Sequence, residues 1–135
     1  VPDAPTPEPH QQPAPANAAF IAQADAVCGE ANAVREKLRT ANASSSQEFV
    51  ETAVSQRNEY EKLAKLSYPS SITSDWRRVL ADEKTLAAAA TAIASYAQAN
   101  RMHNAERYFV AVGHAEHDMV PILRRDGFGN CTHFH

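Results

Sequence analysis

From Ala18 onward, apolar residues recur every three or four positions, the period of a helix with one buried face. Phe20, Ala24, Val27, Ala31, Val34 and Leu38 form the first such stripe, with Cys28 at its flank. It predicts a helix from Asn17, as N-cap, to Ala43. Ser44, Ser45 and Ser46 break the pattern and offer caps for a second helix, carrying Phe49, Ala53, Tyr60, Leu63 and Ala64 and ending near Ser67. Pro69, Ser70 and Ser71 read as a turn. A third helix is then capped by Thr73 or Ser74, carries Trp76, Val79, Leu80, Leu86, Ala87, Ala90, Ile93, Ala94 and Ala97, and stops at Asn100. The last runs from about Met102 to Arg125, burying Ala105, Tyr108, Phe109, Val112, Met119 and Leu123. Arg124 and Arg125 suit its negative dipole end, and Gly127 suits the cap beyond it.

Four helices of this length with short connections predict an all-α, antiparallel up-down-up-down four-helix bundle over residues 17–135. Residues 1–16 read differently. Six of the eight prolines fall within the first 15 residues, a spacing that suits neither helix nor strand ladder, so this stretch reads as an extended, disordered spacer. The chain opens at Val1 and shows no signal-like or membrane-spanning apolar run. It therefore reads as the processed outer part of an exported protein, in which the membrane is reached only through an N-terminal anchor absent from this chain.

The two cysteines, Cys28 and Cys131, are separated by most of the helical region. They are too far apart in sequence for a CxxC redox pair or zinc knuckle, and one long-range disulfide is the natural reading, which implies an oxidising compartment. Cys28 lies roughly 15 Å along the first helix. The residues after Arg125 must then fold back to reach it, using the freedom of Gly127 and Gly129, with Phe128 plugging the bundle end.

Composition narrows function mainly by exclusion. With 13 Lys and Arg against 16 Asp and Glu, the net charge of -3 supplies no basic field for nucleic acid. Only four glycines occur, and there is no phosphate-binding loop, HExxH, GxSxG or calcium loop. Di-iron bundles use Glu-x-x-His on two helices, and that motif is missing too.

Two groups of residues remain as candidate chemistry. His114, His117 and Asp118 stand at i, i+3 and i+4, a spacing able to grip Zn(II) or Cu(II). Together with His103, the two histidines lie opposite the apolar stripe and should face solvent. A tail folded back to Cys28 would bring His133 or His135 towards His117. Separately, Glu83, Glu116 and Arg57 occupy positions where apolar residues are expected, which predicts a polar network across the core or at its edge. Tyr60, Tyr96 and Tyr108 have hydroxyls that could join it.

The chain resembles a broad group of small exported or lipid-anchored helical proteins of actinobacteria in four places. These are the aromatic-led opening from Phe20 to Cys28, the turn carrying Pro69, Ile72, Asp75 and Trp76, the Ala-rich third helix, and the closing Gly127, Phe128 and Cys131. The resemblance implies export, a disulfide and a bundle, and carries over no catalytic residue. The leading expectation is a non-enzymatic, extracytoplasmic interaction or accessory-subunit module of the cell envelope, with no cofactor and with an envelope protein as partner. The alternative is an extracytoplasmic Zn- or Cu-binding protein using His114, His117, Asp118, His133 and His135.

Overall fold

The computed structural model describes residues 15–41 and 45–132; the spacer expected over 1–16 lies outside them except for its last two residues. Four α-helices carry the fold: α1 (Pro15–Thr40), α2 (Ser45–Ala64), α3 (Thr73–Gln98) and α4 (Glu106–Asp126). Short 3-10 turns cover Ser70–Ile72, Met102–Ala105 and Asn130–Thr132, and no strand forms among the described residues. The result is a helical-bundle fold in which α2 packs along α3, α3 along α4, and α1 along α2. No described helix is long and apolar enough to cross a membrane.

The helix ends differ from the expected ones for local reasons. Helix α1 starts at Pro15, two residues early. A proline in the first turn forfeits no helical hydrogen bond, since the first N–H groups have no intrahelical acceptor. Neither Thr73 nor Ser74 caps α3, because the 3-10 turn runs straight into the helix, leaving Ile72 at the cap position with no side-chain bond. Asn100 does end α3: it sits in the left-handed region at φ 56°, and the Arg101 N–H reaches back to the Tyr96 carbonyl at 2.8 Å. Met102 opens a 3-10 turn instead of α4 itself. Gly127, at φ 92°, closes α4 in the same way, with the Phe128 N–H on the Leu123 carbonyl at 2.9 Å.

One end of the core is aromatic. Phe20 meets Trp76 edge-on at 4.7 Å between ring centroids, and Trp76 stacks on Phe128 at 5.5 Å. Leu63, Val79, Met119, Ile122 and Leu123 surround these rings. Such edge and offset contacts add about 0.5–1.5 kcal/mol each beyond the area they bury.

The returning tail is fixed to α1 by a disulfide, Cys28–Cys131, with the two Cα atoms 5.0 Å apart and the cysteines 103 positions apart in sequence. Around it, the Gly129 and Asn130 N–H groups donate to the Asp25 carboxylate at 3.3 and 3.2 Å, and Asn32 donates to the Asn130 carbonyl at 2.8 Å. Gly29 leaves room here, because a Cβ at that position would stand 3.3 Å from the Asn130 side chain, which would have to give slightly.

Some expected core residues are not buried. Phe109 is 45% exposed and Val34 38%, and Ala64 is exposed. Phe109 and Val34 border two hollows described below, whereas Ala64 falls on the outer face of α2, next to the buried Leu63. In the chain-entropy argument, the disulfide stabilises the fold by about 4 to 5 kcal/mol. Reduction should therefore lower the thermal midpoint by more than about 10 °C, followed by circular dichroism; an unchanged midpoint would contradict the staple's role.

Candidate functional site

Four ionisable side chains, one from each helix, gather at mid-height: Arg35 (α1), Glu59 (α2), Glu83 (α3) and Glu116 (α4). Glu83 is 1% exposed and Glu59 4%. Arg35 sits with its Nη1 3.7 Å from Glu59 Oε2, an ion pair too long to be a hydrogen bond, and its Nη2 donates to Asn32 Oδ1. Glu116 is half-buried and feels the Arg35 charge. The Cys28 sulfur lies 4.0 Å from Glu59 Oε1, so the disulfide borders this layer.

Glu83 and Glu116 were legible as polar residues on apolar stripes, but Arg57 is not their partner. It is exposed and donates to Thr91 Oγ1 at 3.3 Å. Two positions along a helix turn a side chain by about 200°, which carries Arg57 out and Glu59 in. The missed residues had a signal. Glu59 precedes the buried Leu63 by four and Gln56 follows the buried Ala53 by three, while Arg35 lies between Ala31 and Leu38 at helical spacing.

Electrostatics in the layer follow from burial. Neither Glu83 oxygen finds a protein donor. Its neighbour is the Glu59 carboxylate, an acceptor, so their contact becomes a hydrogen bond only if one carboxyl keeps its proton. Burial, reinforced by the Glu59 charge, pushes Glu83 well above the ordinary carboxylate range. Burial also raises Glu59 against the opposing pull of Arg35, and raises Glu116. Of the two, Glu83 is pushed further towards its protonated form, and Glu59 is the one that faces Arg35.

The same device recurs twice on the seam between α3 and α4. Arg78 grips Asp118 through both oxygens, with Nε at 3.0 Å, and Arg125 bonds Asp75 at 2.8 Å. Those arginines hold Asp118 and Asp75 below the usual range. Their carboxyl neighbours are displaced the other way: burial and the contact with Asp118 push Asp82 up to about 7, and burial and Asp75 push Asp126 up to about 6.

The histidines expected to bind metal are arranged less favourably. His114 and His117 are exposed, while Asp118 is engaged by Arg78. His133 and His135 lie outside the described residues. Among the described residues, no group of three or more His, Cys, Asp or Glu is placed to hold a metal ion. Tyr96 and Tyr108 pack on each other at 5.9 Å, and Arg107 bonds the Tyr108 hydroxyl at 2.8 Å.

Two hollows flank the ionisable layer. The larger, about 770 Å³, is an open groove between α1 and α2, floored by Val27, Ala31, Val34, Leu38 and Val54 and touched by Glu59. Charged Glu30, Lys37, Glu51 and Lys62 rim it, with Lys62 paired to Glu30 at 2.7 Å. The smaller, about 230 Å³, is bordered by residues of all four helices, among them Arg35 and Glu116, with Phe49 and Phe109 meeting edge-on across it at 6.3 Å. Comparison with protein-family models, curated proteins and solved structures finds no match for this chain.

The carboxyl pairs fix a pH dependence. Unfolded aspartates titrate near 4, whereas Asp126 and Asp82 hold their protons to about 6 and 7 in the fold. Folded protein then binds more protons, so this stabilisation is complete below about pH 4 and is lost as pH rises through 6 and 7. Asp75 and Asp118 act in the opposite sense, stabilising above about pH 4 and losing that contribution below it. The thermal midpoint should peak in mildly acidic solution and decline towards pH 8, and Asp82→Asn should flatten the decline. A midpoint level from pH 5 to 8 would contradict these assignments.

Proposed function

We propose that this chain is a non-enzymatic, extracytoplasmic interaction or accessory-subunit module of the cell envelope, and that the groove between α1 and α2 receives a helix of a partner envelope protein. The observation that carries the reading is that groove: Val34 and Val54 lie 38% and 51% exposed in it, inside a charged rim. Its apolar floor runs from Val27 to Leu38, about 17 Å or three helical turns. That length suits the apolar stripe of an amphipathic helix, with the rim pairing to the partner's polar edge.

The disulfide supports an extracytoplasmic compartment, since such bonds persist outside reducing cytosol. The resemblance to exported and lipid-anchored actinobacterial proteins agrees with it. Both cysteines are consumed by the staple and the most perturbed carboxyl, Glu83, is shut off from solvent, features that favour binding over catalysis. The helices are proposed to run up-down-up-down. Pairings support this order: Glu30 with Lys62 and Arg35 with Glu59 between α1 and α2, Arg57 with Thr91 between α2 and α3, then Asp75 with Arg125 and Arg78 with Asp118. In the repeated pairs, residue numbers rise on one helix as they fall on the other.

A photo-crosslinking residue at Val54 tests the groove in the native envelope, with one at the exposed Arg77 of α3 as control. The expected result is a discrete protein adduct from Val54 that weakens in a Val34→Asp background and is missing from Arg77. No adduct at Val54, or the same adducts from both positions, would contradict the proposal.

A further inference from the structure

The smaller hollow leads to a different ligand. Arg35 carries five N–H donors in a planar fork. One is given to Asn32, while Nε and Nη1 are buried without a protein acceptor. Unmet buried donors on a charged group are costly, and a guanidinium is the side chain best shaped to take a planar carboxylate on two parallel bonds. Arg35 lines the hollow, as does Gln56, whose Oε1 is likewise buried without a donor. By turning about its last torsion, the Gln56 amide can offer either its oxygen or its NH2 to a head group.

The remainder of the hollow is apolar. Leu86, Ala90, Ile93 and Val112 form its walls, and Phe49 and Phe109 its aromatic rim. Exposure of a ring as large as Phe109 is otherwise unfavourable, and here the ring lines the hollow. An apolar cavity of about 150 Å³ accommodates benzene. One of about 230 Å³ has room for a chain or ring of about six carbons together with a polar head.

We propose that this hollow is a binding site for a small monocarboxylic acid with a short apolar body, its carboxylate on the Arg35 guanidinium and its hydrocarbon against Phe49, Phe109 and Val112. A single negative charge is specified, because Arg35 is the one cation among the residues lining the hollow and already shares its charge with Glu59 at 3.7 Å; its unmet Nε and Nη1 donors can hold one carboxylate, whereas a phosphate dianion would bring a second uncompensated charge beside Glu116. The site is separate from the α1–α2 groove and stands or falls independently of it.

The probe is hexanoate, titrated into the oxidised full chain and followed by the methyl NMR signals of Leu86, Ile93 and Val112, with 1-hexanol and hexylamine as controls. Hexanoate should shift those methyls saturably below about 10 mM. Hexanol should bind at least about tenfold more weakly and hexylamine not at all. Arg35→Lys keeps the charge but loses the fork, and should weaken hexanoate about tenfold. Because Arg35 is also structural, Ala90→Phe provides a second variant, filling the hollow while leaving the arginine in place; it should abolish binding with the helical spectrum unchanged. No saturable shift with hexanoate, hexanol binding as tightly as hexanoate, or undiminished binding in Ala90→Phe would overturn the proposal.

Discussion

Burying Arg35 against three glutamates is the constraint to which the rest of the molecule is fitted. Each ion removed from water costs several kcal/mol even after relaxation, and breaking a buried pair by deleting one partner typically costs about 3 to 5 kcal/mol. The layer meets this cost by limiting how many of its groups are charged. Arg35 and Glu59 form one ion pair, burial and the Glu59 charge push Glu83 towards its neutral form, and half-buried Glu116 sits at the edge. Each helix supplies one member, so the layer forms only when all four helices are in register. The Asp82–Asp118 and Asp75–Asp126 pairs repeat the same principle nearer the surface, where an arginine holds one carboxylate below the usual range and the neighbouring acid keeps its proton up to about pH 7 at Asp82 and about pH 6 at Asp126.

The disulfide serves that layer as well as the tail. It fastens the segment after α4 to α1 beside Glu59, on the side of the aromatic cluster of Phe20, Trp76 and Phe128. Along the line between α1 and α2 lies the groove floored by Val34 and Leu38. The Arg35–Glu59 pair stands between the two hollows, with Glu59 on the groove side and Arg35 on the other. The first helix contributes residues to both proposed binding surfaces, and the Arg35–Glu59 ion pair lies between them.

Much of this fold is legible in the sequence because helical packing writes itself as a period. The stripes give all four helices, Asn100 and Gly127 give two of the stops, and two cysteines in an otherwise cysteine-free chain give the staple. The start of α3 was less legible, because a 3-10 turn took over from a side-chain cap at Ile72. The candidate site was half legible. Glu83 and Glu116 stood out as charges on apolar stripes, but Arg35 and Glu59 did not, and only the neighbouring helices enclose them. Arg57 illustrates why: a periodic stripe fixes a face only to within a residue or two, and polar residues near its edge can turn either way. Phe109 read as core because hydrophobicity does not distinguish a filled interior from the rim of a hollow.

The most direct measurement of the central claim is a carboxyl carbon NMR titration of the glutamates in the oxidised protein. Glu83 should remain protonated at neutral pH while Glu59 is ionised, and Glu59→Gln should move the Glu83 midpoint downward by removing the neighbouring negative charge. A Glu83 curve centred in the ordinary range, about 4 to 5, and indifferent to Glu59 would contradict the account.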